Sequence, residues 1–128
     1  MTNSPAVSIL VVDDQADLLR MMQTFLERQG YSVEPCADAA TALAKFKGSP
    51  GRWTVVIADV NLPDRQGDEM AFEMAKENPE VRVLLYSGYP YDLEVIPADI
   101  RPRFAALQKP FSPPSLTSAV AELAGRPV

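Results

Sequence analysis

The chain has 128 residues, 47% of them hydrophobic, and a formal net charge of −5 with a sequence pI near 4.6. That is the length of one domain with one core, too acidic to offer nucleic acid a basic footprint and without an apolar run long enough to span a bilayer. Histidine is absent, which excludes histidine-based catalysis, the usual zinc sites and a phosphohistidine carried by the chain itself. Met1 to Ala6 has neither the basic region nor the apolar stretch of a secretory signal, and the lone Cys36 has no internal disulfide partner. Both features lead us to expect a cytoplasmic protein. Residues 1–6 read as a flexible leader, 7–125 as one domain and 126–128 as a tail; the chain itself is expected to carry no output domain, whether it stands alone or is cut from a larger protein.

The first strand is predicted over Val7 to Val12, followed by Asp13-Asp14. Leu18, Leu19, Met22, Phe25 and Leu26 then recur at the spacing of one helix face, and Gly30 marks the helix end. Tyr31 to Cys36 reads as an edge strand, because Pro35 has no N–H to give a ladder. Asp38 is placed to cap a short helix whose pattern is Ala40, Leu43, Ala44 and Phe46. After the turn at Gly48-Ser49-Pro50-Gly51, Thr54 to Ala58 is a continuous apolar run, as in a strand buried on both faces, and Asp59 ends it. A loop from Val60 to Gly67 leads to a helix that Asn78-Pro79 stops. Val81 to Tyr86 is the fourth strand, with Ser87-Gly88 after it. In Tyr89 to Arg103, Pro90, Pro97 and Pro102 interrupt any helix, so at most a turn or two is expected near Asp92 to Ile96. Ala105 to Gln108 is the fifth strand, followed by Lys109-Pro110. Ser112 caps a last helix carrying Leu116, Ala119, Val120 and Leu123 on one face, with prolines where a missing N–H costs little.

Strands alternating with helices imply an α/β fold: a parallel sheet covered on both faces by right-handed crossovers. With five strands, the leading choice is a doubly wound, flavodoxin-like sheet of order 2-1-3-4-5. Ligands of such sheets bind beyond the carboxyl ends of the strands. Those ends carry Asp13-Asp14, Asp59, Ser87 and Lys109, which the fold brings to one rim. Clustered carboxylates invite a hard divalent cation, and magnesium suits such an oxygen site. A carboxylate also serves as a nucleophile in aspartyl-phosphate chemistry, where a cation, a lysine and a hydroxyl neutralise the phosphoryl oxygens. Taken singly, each residue has a plainer reading: a helix cap, a loop acid, a turn, a solvated lysine. The ordered set at successive strand ends is what points to function.

That set resembles the receiver domains of two-component signalling. The matching stretches are Val11-Val12-Asp13-Asp14, Ala58-Asp59-Val60-Asn61-Leu62-Pro63 with Gly67, Tyr86-Ser87-Gly88-Tyr89, and Leu107-Gln108-Lys109-Pro110-Phe111. The strand order above rests partly on this likeness. The resemblance implies Asp59 as phosphoacceptor and Mg2+ as cofactor. Asp14 and Asp59 would ligate the ion through their side chains, Asn61 through its backbone carbonyl, and Asp13 through a water. Lys109 would pair with the phosphoryl group, Ser87 would swing toward it, and Lys109-Pro110 would be a cis peptide. The implied donor is a histidine kinase or a histidine phosphotransfer protein, and the chain would be a switch rather than an enzyme. Its conformational change would spread to a surface formed by the family's fourth helix, fifth strand and last helix. The downstream partner is open, and a homodimer through that surface is permitted.

Two departures stand out. The family commonly has an aromatic residue three positions before the lysine, where this chain has Ala106; Phe104 lies on the same strand face if no bulge intervenes. Leu62 replaces a more frequent methionine. Ala106 and the unusual proline-rich segment before the fifth strand make a receiver-like binding module working without phosphate the alternative, whereas the Leu62 change is a mild apolar one. A metal-dependent phosphatase lacks an obvious specificity loop, and a flavin domain of this fold would not place acids after its first strand. The methionines Met21, Met22, Met70 and Met74 read as core or helix surface, Trp53 as packing at the start of the third strand, and Tyr89 and Tyr91 as exposed loop residues.

Overall fold

The computed structural model describes residues 7–125. The expected leader and tail lie outside the described residues. The elements follow in the order β1 (Ser8–Val12), α1 (Ala16–Arg28), β2 (Ser32–Cys36), α2 (Ala39–Gly48), β3 (Val55–Asp59), α3 (Gly67–Glu77), β4 (Arg82–Ser87), β5 (Phe104–Gln108) and α4 (Pro113–Leu123). All strand pairs are parallel, in the order β2-β1-β3-β4-β5. This is the expected doubly wound topology. The edge position of β2 accommodates Pro35, as its missing N–H requires.

Strand alternation divides the core into two layers. Leu10, Val12, Val56, Ala58, Val83 and Leu85 face α2 and α3, where Phe46, Met70 and Met74 are fully buried. Ile9, Val11, Val55, Ile57, Leu84 and Tyr86 face α1 and α4, against Met22, Leu26, Leu116 and Val120. Burial on both faces explains why β1 and β3 read as unbroken apolar runs. The buried face of α2 differs from the expected pattern. Ala39, Ala42 and Phe46 are buried, whereas Ala40 and Ala44 point to solvent. An alanine-rich helix carries too little side-chain contrast for the pattern to orient it.

Among the described residues no α-helix connects β4 to β5. Two 3-10 turns stand there instead, Leu93–Val95 and Arg101–Arg103. The segment is nonetheless anchored. Ile96 and Ile100 are buried in the α2/α3 layer. The Arg101 guanidinium donates to the Ile96 and Glu94 carbonyls. Arg103 donates to the carbonyls of Ala75 at 2.9 Å, Asn78 at 3.0 Å and Val81 at 3.0 Å, so it caps the end of α3. The surface implied by the resemblance must therefore be amended: the place of its helix is taken by an extended, proline-punctuated strap. Register along β5 is continuous, so Phe104 and Ala106 do share a face. Phe104, however, is buried and meets Phe72 edge-on at 5.8 Å, as a core residue.

Candidate functional site

The site is assembled by register. Val12 of β1 pairs with Ala58 of β3, so the next residue of each brings Asp13 beside Asp59. Asp59 in turn pairs with Tyr86 of β4, and Ser87 with Gln108 of β5, immediately before Lys109. Carboxylate oxygens of Asp13, Asp14 and Asp59 all lie within 4.8 Å of one another. Asp13 and Asp59 are buried, while Asp14 is exposed at the mouth.

Lys109 answers this negative charge. Its Nζ donates to Asp59 Oδ2 at 2.8 Å and stands 3.8 Å from Asp13 Oδ2. It also donates to Gln15 Oε1 at 3.3 Å and lies 5.2 Å from the centre of the Tyr86 ring. The Lys109–Pro110 peptide is cis. The other Asp59 oxygen, Oδ1, accepts from the Asn61 N–H at 2.9 Å. Asp13 Oδ1 accepts from the Gln15 N–H at 2.7 Å, and Asp13 Oδ2 accepts from the Tyr86 hydroxyl. Neither acid of the pair acts as the side-chain cap of α1, whose N-cap is Gln15. Burial pushes the Asp13 carboxyl above the usual aspartate range, and the Tyr86 and Gln15 donors and the Lys109 charge oppose that rise. Burial likewise holds the Tyr86 phenol well above its usual value, reinforced by the Asp13 charge. Tyr86 is therefore a protonated donor at neutral pH.

Ser87 ends β4, buried, with its Oγ accepting from the Tyr89 N–H at 3.2 Å. Its carbonyl accepts from the Lys109 N–H at 2.8 Å, which ties the two strand ends together. Tyr89 projects to solvent with 72% of its surface exposed. Tyr91 does not follow it. This residue is half-buried, and its hydroxyl donates to Asp68 Oδ2 at 2.8 Å, latching the strap to the first turn of α3.

The β3–α3 loop is held from both ends. The Gly67 N–H donates to the Val60 carbonyl at 2.7 Å, and Asn61 bridges Gln66. At the loop's far side, Asp64 accepts from the Ala39 and Ala40 N–H groups at 2.9 and 2.8 Å, capping α2 from a distance alongside its own cap Asp38.

All the expected side chains thus lie at the carboxyl end of the sheet. The donor set suits a hard divalent cation, since carboxylate oxygens from β1 and β3 converge without nitrogen or sulfur ligands. Sequence reasoning overlooked three contributors: Tyr86, Gln15 and the close approach at Gly67. A signal for Tyr86 was present. A tyrosine inside a buried strand needs a hydroxyl partner, and alternation puts it on the face of Leu84, toward the acids.

Comparison with known proteins follows the same line. The response regulator receiver domain family matches residues 9–121. The sensor kinase CckA of Brucella abortus is 32% identical over 123 residues, which cover 94% of this chain and 13% of the kinase. The transcriptional regulator NtrC of a Bradyrhizobium strain is 30% identical over 123 residues, covering 96% of this chain and 25% of the regulator. The chain therefore spans only a minor part of either relative. A CheY-like receiver domain protein from Methanospirillum hungatei superposes with a TM-score of 0.84 at 27% identity, over 94% of this chain and 95% of that one. Chemotaxis protein CheY4 of Vibrio cholerae gives 0.81 at 26% identity, over 93% and 99%. With this sheet order and this acid cluster at its carboxyl edge, the chain belongs to the receiver domains of two-component response regulators.

Proposed function

We propose that the chain is a phosphorylation-dependent switch whose phosphoacceptor is Asp59, with residues 7–125 forming the working domain. The observation that carries this reading is the Lys109 ammonium seated 2.8 Å from Asp59 Oδ2 beside three converging carboxylates. Asp59 is buried enough to be held still, and its two oxygens are fixed by Asn61 and Lys109. A carboxylate so positioned attacks the phosphorus of a donor phosphohistidine. The O–P bond forms as the P–N bond breaks, and its electron pair leaves with the imidazole. The donor belongs to a histidine kinase or phosphotransfer protein, in the cytoplasm. Asp14, Asp59 and the Asn61 carbonyl would hold Mg2+, with Asp13 acting through water. When bound, the ion would neutralise charge on a phosphoryl oxygen.

Lys109 moves with the charge, from the carboxylate to a phosphoryl oxygen. The Ser87 hydroxyl turns to donate to another, giving up its contact with the Tyr89 N–H. The strap is fixed beyond that point by Tyr91 on Asp68 and by Arg101, so the change concentrates at Gly88 to Pro90. Phosphorylation favours whichever strap conformer binds the new charge better. A downstream protein would read that conformer.

The test is intact mass after incubation with acetyl phosphate, with and without Mg2+, on wild type and Asp59→Asn. One added phosphoryl group that requires both Mg2+ and Asp59 is expected. Labelling that persists in Asp59→Asn would refute the assignment. A folded, Mg2+-binding protein that acquires no phosphate from acetyl phosphate or from a purified kinase would instead identify a phosphate-independent binding module.

A further inference from the structure

We propose that Tyr86 is a positioning residue for the cation site, acting through Asp13. This rests on reading Asp13, Asp14 and Asp59 as that site. Asp13 has no exposed surface, yet it must keep a carboxylate directed at the rim. A buried carboxylate without donors has nothing to fix its orientation. Here one oxygen is held by the Gln15 N–H and the other by the Tyr86 hydroxyl. The backbone contact comes with the turn into α1. The phenol is the discretionary one, because a leucine or methionine would fill the same strand position without donating.

Tyr86 is itself rigid. It is fully buried on β4, and its ring meets Phe111 edge-on at 5.3 Å and 70°. The hydroxyl is thus delivered from a fixed ring, two strands away from β1. Lys109 Nζ, 3.8 Å from Asp13 Oδ2, is a more distant partner that is already engaged by Asp59. Partners that orient a metal ligand typically matter about 10- to 100-fold in affinity. Asp13 acts at one remove from the ion, so the lower end of that range applies.

The experiment is a calorimetric Mg2+ titration of wild type, Tyr86→Phe, Asp13→Asn and the double variant. Tyr86→Phe keeps the ring and its packing. Its Mg2+ affinity is expected to fall about tenfold, while Asp13→Asn and the double variant bind alike, since the phenol acts only through the carboxylate. Labelling by acetyl phosphate should slow in Tyr86→Phe at limiting Mg2+ and recover at saturating Mg2+. A purely structural role would not produce that recovery. Unchanged affinity in folded Tyr86→Phe, or additive losses in the double variant, would overturn the proposal while leaving the site itself intact. A wild type that binds no Mg2+ would overturn both. Should Tyr86→Phe fail to fold, Tyr86→Met removes the same hydroxyl and enters the same cycle.

Discussion

A β-carbon on Gly67 would stand 1.9 Å from the main-chain oxygen of Asp59. The first turn of α3 therefore packs directly on the backbone of Asp59, the proposed phosphoacceptor, and only a residue without a side chain permits it. Gly67→Ala must push the helix or the strand end away. Overpacking of this kind costs about 1–3 kcal/mol. Because the strain falls on Asp59 itself, labelling by acetyl phosphate should drop further than stability does. Thermal unfolding and labelling rates measured together check this, and a variant with wild-type values in both would contradict the contact.

Lys109 is the only cation hydrogen-bonded to Asp59 among the described residues. Lys109→Ala removes a donor aimed at developing charge, which is expected to slow labelling by about 100-fold. Mg2+ binding should survive, because no ligand is lost and a competing positive charge is gone. Wild-type labelling kinetics would remove Lys109 from the chemistry.

Arg103 ties the strap to the far end of α3 by donating to three carbonyls, those of Ala75, Asn78 and Val81. Arg103→Met keeps the aliphatic stem and removes the donor to all three carbonyls, of which that of Asn78 still accepts from the Val81 N–H at 3.4 Å. A loss of about 2 kcal/mol is expected, read by urea unfolding, with Mg2+ affinity unaltered because the residue sits at the opposite end of β5 from Lys109. A loss of Mg2+ affinity would show that the strap and the site are coupled.

Asp64 gives stability a pH signature. The Ala39 and Ala40 N–H groups hold its carboxyl below the usual aspartate value of 3.8. A depressed folded pKa means that the contribution is complete above the unfolded value and is lost as pH falls through the folded one. Asp64→Ala should therefore unfold at a lower temperature than wild type at neutral pH. The difference should narrow below about pH 4. A difference independent of pH across that range would assign the effect to lost packing instead of the cap.

Much of this molecule was legible in the chain itself. Apolar runs and their terminal polar residues are local features. They determined the five strands and the rim of Asp13, Asp14, Asp59, Ser87 and Lys109. The prolines of 90–102 likewise announced that no long helix joins β4 to β5, because each removes a backbone donor. Tertiary structure decided what depends on neighbours distant in sequence. The face of α2 was set by where β1 and α3 lie, since small alanines give weak amphipathic contrast. Tyr91 was drawn from solvent to Asp68 by the path of the strap, and Asp64 became a cap for a helix that precedes it in the chain. The Tyr86–Asp13 contact spans 73 residues and exists only because parallel register aligns β1, β3 and β4. Strand periodicity puts a side chain on a face; the pairing of three strands determines which group it meets there.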